Sequence, residues 1–181
     1  MKIGFIGMGI MGTPMSINLV KAGYDVMVSN RTMEKCAPAV AHGAKAGSYQ
    51  ELAENCDVII TMLPNGPQVK SVMLGNDGAA KHMKKGSTFI DMSSINPVDS
   101  KELALELEKY GVSMLDAPVS GGEPKAIDGT LSIMVGGSPE LFEKHKEMLG
   151  AMGSSVVRCG DVGAGNTTKL ANRNRRYSAL R

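Results

Sequence analysis

Six residues near the start of this chain, Gly7-Met8-Gly9-Ile10-Met11-Gly12, follow the pattern G-x-G-x-x-G. They come directly after a short apolar run, Lys2 to Ile6, and open a helical stretch from about Met11 to Ala22. That context gives the pattern its force, because glycine-rich loops are common while a strand-to-helix turn is specific. The first glycine permits the tight turn, the second lets a pyrophosphate approach the backbone, and the third lets helix pack on strand. Free N–H groups at the helix start then face the anion. The chemistry expected is dinucleotide binding, and the competing reading is a structural turn without a ligand.

The end of the second strand should choose between cofactors. A carboxylate about 20 positions on usually binds the ribose 2′-hydroxyl of NAD. Here Asn30 stands near that place, followed by Arg31 and Thr32. With no carboxylate to repel a 2′-phosphate, and a guanidinium able to pair with it, NADP(H) is favoured. NAD(H) is the alternative, with Arg31 merely solvated.

Ligands of open α/β sheets sit beyond the carboxyl ends of the strands. Met62-Leu63-Pro64 and Ser93-Ser94 end two strands there. After a third, Ser120, Gly121 and Gly122 offer a hydroxyl and unhindered backbone N–H groups, either a cradle for a carboxylate or a tight turn. Lys169 and Asn172 lie three apart, on one face of a helix. A lysine there can protonate a carbonyl oxygen, although a lone lysine is usually a surface residue. His42, His82 and His145 show no partner pattern and read as surface residues. Cys36, Cys56 and Cys159 form no pair and read as buried, small apolar side chains. No metal site is expected.

The elements that must position these groups alternate. Strands are expected at Lys2–Ile6, Asp25–Ser29, Asp57–Met62, Thr88–Met92, Ser113–Leu115, Leu131–Val135 and Ser155–Arg158, the last followed by a loop from Gly160 to Gly165. Helices are expected at Met33–Ala41, at Val98–Tyr110 with Leu103, Leu107 and Tyr110 inward, and from Ser138, where Ser138-Pro139-Glu140 reads as a helix start. Asn166 to Asn172 reads as the opening turns of a last helix. Such alternation implies right-handed crossovers and an α/β fold: a Rossmann-type, doubly wound, mostly parallel sheet covered by helices.

The 181 residues carry a net charge of +2, too near balance for nucleic acid or an anionic membrane to be the main partner. No apolar run approaches the roughly 20 residues that span a bilayer. Three unpaired cysteines fit a reducing, cytoplasmic setting. The final nine residues, RNRRYSALR, hold four of the six arginines. They continue no apolar stripe, and an anionic partner for this tail is the alternative to a truncated or frame-shifted end.

FIGMGIMGTPMSINL, ITMLPN, IDMSSI, DAPVSGGEPKAIDGTLSIMVGG and GAGNTTKLAN, in this order, resemble the β-hydroxyacid dehydrogenase family over about residues 1–172. The resemblance implies that Gly7, Met8, Gly9, Ile10, Met11, Gly12, Leu63, Pro64 and Ser94 contact the dinucleotide. It implies that Ser120, Gly121 and Gly122 hold a substrate carboxylate, that Lys169 is the general acid or base, and that Asn172 orients the substrate oxygen. The partner implied is a small hydroxy acid or semialdehyde. DAPVSGGEPKAIDGTLS is nearest to members that reduce tartronate semialdehyde to glycerate, with 3-hydroxyisobutyrate, glyoxylate and succinic semialdehyde as alternatives. Family members continue past KLAN into a long helix and an all-helical second domain that supplies most of a homo-oligomer's contact. That domain is expected to be missing here. The division expected is 1–165 as the NAD(P)-binding domain and 166–181 as the start of the interdomain helix. A chain so shortened could bind NADP(H) without catalysis.

Overall fold

The computed structural model describes residues 1–178, with side chains as far as Asn172. The remaining arginine-rich side chains, and residues 179–181, lie outside the described residues. Along the first half run β1 (Lys2–Ile6), α1 (Gly12–Lys21), β2 (Asp25–Ser29), α2 (Ala37–Ala41), β3 (Lys45–Ala46), α3 (Tyr49–Asn55), β4 (Val58–Thr61) and α4 (Gly66–Leu74). The second half runs β5 (Thr88–Asp91), α5 (Pro97–Glu108), β6 (Ser113–Asp116), β7 (Val119–Ser120), α6 (Gly122–Asp128), β8 (Leu131–Gly136), α7 (Pro139–Gly150), β9 (Gly153–Gly160) and α8 (Ala164–Ser178).

Successive strand residues point to opposite faces, and both faces here are apolar. Ile3, Phe5, Ile60, Ile90 and Leu115 therefore join one core, covered by Met15 and Leu19 of α1 and by Phe142, Met148 and Leu149 of α7. Ile6, Ile59, Phe89 and Met114 join the other, covered by Leu52 of α3, Val69 and Met73 of α4, and Leu103 and Leu107 of α5. The sheet order is β3-β2-β1-β4-β5-β6-β8-β7, with β9 paired to β8. Strands β1 to β6 run parallel, and β8 turns antiparallel to β6 and β7. From β1 the chain moves outward to β2 and β3, then returns to start β4 on the other side. That reversal opens a crevice between β1 and β4.

The doubly wound, mostly parallel sheet is as the alternation implied. Several short elements escape the pattern. A seven-residue helix such as α3 is too short to show an apolar stripe, although Ser48 and Glu51 close a capping box at its start. Helix α4 is likewise short, and Asn65 caps its start by accepting the N–H of Gln68. The expected start at Ser138 is present: its hydroxyl accepts the N–H of Leu141. The last strand is longer than expected, at Gly153–Gly160, and α8 begins at Ala164, inside the expected loop.

Three side chains correct the sequence reading. Tyr110 is 40% exposed, because α5 ends at Glu108 and leaves its ring beyond the packed face. Cys159 is half-buried, unlike buried Cys36 and Cys56. His145 is no surface residue: it is 1% exposed, on the inner side of α7, with Nε2 2.9 Å from the Thr88 hydroxyl. Burial, aided by the Lys144 charge, pushes its pKa down from 6.5 to about 4.

The unfolded chain takes up that proton first. His145 therefore contributes stability that is full above about pH 6.5 and is lost as pH falls through about 4. Urea unfolding of the wild type and of His145→Gln, compared at about pH 7 and about pH 4.5, isolates it from carboxylates titrating in that range. The wild-type advantage should shrink by up to roughly 3 kcal/mol at the lower pH. A pH-independent difference would show that the imidazole titrates normally.

Candidate functional site

The turn after β1 is shaped by what its glycines lack. Gly7 has φ +109°, and a β-carbon there would collide with the Met62 carbonyl; one at Gly12 would collide with the Gly7 carbonyl. These two positions are demanded by the fold itself. A β-carbon at Gly9 would meet nothing within 4 Å. Its bareness serves whatever lies over the turn.

The turn is braced from β2. Asn30 Oδ1 accepts the Met8 N–H at 3.0 Å, and Asn30 Nδ2 donates to the Thr32 carbonyl at 2.9 Å. Around it opens a cleft of about 800 Å³, lined by Gly7 to Gly12, Asn30, Arg31, Thr32, Leu63 and Pro64. This volume lies in the range of small-molecule and cofactor sites. The cleft gathers most of the residues assigned to the dinucleotide from sequence. It adds Lys35, Tyr49 and Gln68, which sequence reasoning missed. Lys35 lies four residues after Arg31, a spacing that a helical reading of the segment could have noticed. Ser94 is exposed at the end of β5 and does not line the cleft.

Buried carboxylates organise the strand ends. Asp91, at the end of β5, accepts the Thr61 hydroxyl at 2.9 Å and the Ser93 N–H at 3.0 Å. The Ser93 hydroxyl in turn accepts the N–H of Leu63 at 2.9 Å, fixing one wall of the cleft. Burial pushes the Asp91 carboxyl up to about 6, against the pull of its bonds from Ser93 and Thr61 and with the added push of Asp116.

Asp116, its register partner on β6, holds the other half of the site. Its two oxygens accept the N–H groups of Gly163 at 2.6 Å and Asn166 at 2.8 Å, at the start of α8. Burial raises its pKa, opposed by those same bonds. Close approach is possible because Gly136 and Gly165 carry no β-carbon; one at Gly136 would strike Asp116 Oδ1, and one at Gly165 the Met134 carbonyl. Asn166 completes the clamp, with Oδ1 accepting Ile95 N–H at 3.1 Å and Nδ2 donating to Ser100 Oγ at 3.2 Å.

One turn along α8 from this clamp, Lys169 Nζ donates to the Val119 carbonyl at 2.6 Å. The ammonium thereby sits beside Ser120, which is half-buried, and near the exposed, positive-φ pair Gly121 and Gly122. Asn172, one further turn on, places Nδ2 3.6 Å from Met134 Sδ. The structure thus groups Ser120 to Gly122, Lys169 and Asn172 apart from the cleft residues, along the same carboxyl edge of the sheet. Among the described residues no cluster of three or more His, Cys, Asp or Glu could hold a metal, and no helix is long and apolar enough to cross a membrane.

A glycine turn feeding a helix, at the reversal of a doubly wound sheet, with an open cleft over its bare second glycine, defines a Rossmann-type dinucleotide-binding domain. The chain belongs to the family described as the NAD binding domain of 6-phosphogluconate dehydrogenase, whose model matches residues 2–160. It is 43% identical over 174 residues to the 2-hydroxy-3-oxopropionate reductase of Escherichia coli (strain K12), covering 95% of this chain and 59% of the relative. It is 46% identical over 171 residues to the mitochondrial 3-hydroxyisobutyrate dehydrogenase of Bos taurus, covering 94% and 51%. The solved structure of Mycobacterium tuberculosis 3-hydroxyisobutyrate dehydrogenase with L-serine superposes with a TM-score of 0.90 at 37% identity, covering 94% of this chain and 58% of that one. The chain spans about half to three-fifths of the length of these relatives.

Gly9→Ala separates ligand from fold. Its methyl meets no protein atom within 4 Å and needs no unusual backbone angle, so stability should change by no more than about 1 kcal/mol. Dinucleotide affinity should fall by at least about tenfold, about 1.4 kcal/mol. Fluorescence titration with NADPH beside thermal unfolding checks both, and unchanged affinity would mean that nothing approaches the turn.

Proposed function

We propose that this chain forms the dinucleotide-binding part, with a share of the substrate site, of an NADP(H)-favouring oxidoreductase that reduces tartronate semialdehyde to glycerate. Residues 1–165 make up the binding domain, and from residue 166 to Ser178 the chain continues along α8. The observation that carries the reading is the Lys169 ammonium, held 2.6 Å from the Val119 carbonyl beside Ser120.

The cradle fits a dinucleotide: Gly9 leaves open space above the backbone amides, and the cleft is long enough to reach from Arg31 past Leu63 and Pro64. Bound there, the reduced nicotinamide supplies a hydride to the carbonyl carbon. Ser120 and the amides of Gly121 and Gly122 hold the substrate carboxylate, and Asn172 orients the carbonyl oxygen. Lys169 gives that oxygen a proton as it becomes a hydroxyl, and takes the proton back when the reaction runs in reverse. Ser94, in the loop after β5, is assigned to the dinucleotide on the family resemblance. The names of the relatives support a small hydroxy acid or semialdehyde as substrate, with 3-hydroxyisobutyrate as the alternative.

Arg31 and Lys35 both line the cleft, next to Asn30 in place of a carboxylate, which supports NADP(H) over NAD(H). Arg31→Glu should weaken NADPH by about tenfold to a hundredfold, the worth of a charge-assisted pair, while NADH changes little. Equal losses for both cofactors in a side-by-side titration would remove the 2′-phosphate assignment.

Lys169→Ala should cut turnover of tartronate semialdehyde by about 10²–10⁴-fold with NADPH affinity nearly unchanged. Turnover comparable to wild type would eliminate the proposed acid. A second reading, binding without catalysis, is favoured by the exposure of Gly121, Gly122 and Asn172, since an open site does not exclude water. Saturable NADPH binding by a sample with no detectable turnover would decide for it.

A further inference from the structure

At the opposite end of the strands from the dinucleotide cleft, the starts of β4 and β5 and the inner side of α7 border a partly open cavity of about 370 Å³. Its walls include Lys84, Lys85, Ser87, Lys144 and His145, with Asp57 as the one carboxylate. Asp57 is already engaged, 3.9 Å from Lys84 Nζ and accepting the Lys2 backbone N–H at 2.8 Å. Three ammonium groups against one carboxylate leave a local excess of positive charge.

Exposed lysines alone make no site, but two polar atoms of the lining residues lack what buried polar atoms almost always have. Ser87 is 5% exposed and His145 1% exposed, and neither Ser87 Oγ nor His145 Nδ1 has a hydrogen-bond partner. The backbone of Ser87 is satisfied, its N–H by the Lys84 carbonyl and its carbonyl by the Ser113 N–H, so only the hydroxyl is left over. The imidazole is oriented from the far side by Thr88, 2.9 Å from Nε2. If the Thr88 hydroxyl donates to Nε2, the neutral ring carries its proton on Nδ1. Both unpartnered atoms are then donors, and an acceptor with several oxygens answers both.

We propose that this cavity binds a phosphate group, with Ser87 Oγ and His145 Nδ1 donating to its oxygens and Lys84, Lys85 and Lys144 supplying the counter-charge. The same chemistry serves free orthophosphate and the phosphate of a small phosphomonoester. The site is separate from the pyrophosphate turn, at the amino rather than the carboxyl ends of the strands.

Orthophosphate titrated calorimetrically into the chain, with and without saturating NADPH, tests this directly. We expect saturable binding that NADPH does not displace. Ser87→Ala and Lys144→Glu should each weaken it about tenfold or more while leaving NADPH affinity unchanged. Lys144 is exposed on α7, so that variant keeps its fold even if Ser87→Ala does not. The ¹⁵N signal of His145 Nδ1 should move on saturation in the wild type. A parallel titration with glycerol phosphate separates the sources: tighter binding of the ester identifies a metabolite's phosphate, tighter binding of orthophosphate the free ion. Absence of saturation in the millimolar range, displacement by NADPH, or full affinity in both variants would overturn the proposal.

Discussion

Two buried carboxylates, side by side in register at the ends of β5 and β6, hold this carboxyl edge together. Charge buried this deeply is tolerated only where hydrogen bonds replace the lost water. Asp91 and Asp116 draw those bonds from opposite directions. Asp91 draws Thr61 and Ser93 to Oδ1 alone, leaving Oδ2 without a partner, which fits its raised pKa, and through Ser93 it reaches the amide of Leu63. Asp116 recruits Gly163 and Asn166 at the start of α8. One carboxylate thus fixes a wall of the cleft and the other fixes the helix that carries Lys169.

The consequence is that the two chemical groupings are tied by geometry through the paired strand ends. A carboxylate at the amino end of α8 also meets the positive end of the helix dipole, which offsets part of its desolvation. Asn166 extends the clamp to Ile95 and Ser100, so α8 is held from β6, from the loop after β5 and from α5. Lys169 and Asn172 follow from that clamp by helical rise, and the bonds to the Val119 carbonyl and Met134 Sδ then orient their side chains. Any disturbance at Asp116 should therefore be felt at Val119, where the lysine ends.

Much of this was legible in the order of residues, and what was not has a physical reason. The glycine turn is local: three glycines at fixed spacing between a strand and a helix state their own geometry. Strands covered on both faces announce themselves by unbroken apolar runs, as Val58–Thr61 does. Asp91 and Asp116 look like ordinary polar strand ends, because their partners lie 30 and 50 residues away in sequence for Thr61 and Asn166. His145 misleads for a related reason. It is flanked by Lys144 and Lys146, and only the packing of α7 against β5 turns it inward.

Asn30 shows how one position can serve shape and charge separately. Its carbonyl oxygen braces the Met8 amide as a carboxylate oxygen would, so the turn keeps its form. Its amide nitrogen reaches the Thr32 carbonyl, a bond that a carboxylate, lacking any donor, would forfeit. What the amide removes is negative charge beside Arg31 and Lys35, leaving their field in the cleft uncancelled at that point. Cofactor choice can thus change at residue 30 without remodelling the glycine turn. The glycine turn is shaped for a dinucleotide of either kind, and the grouping of Asn30, Arg31 and Lys35 is what supports the proposed preference for a phosphorylated one.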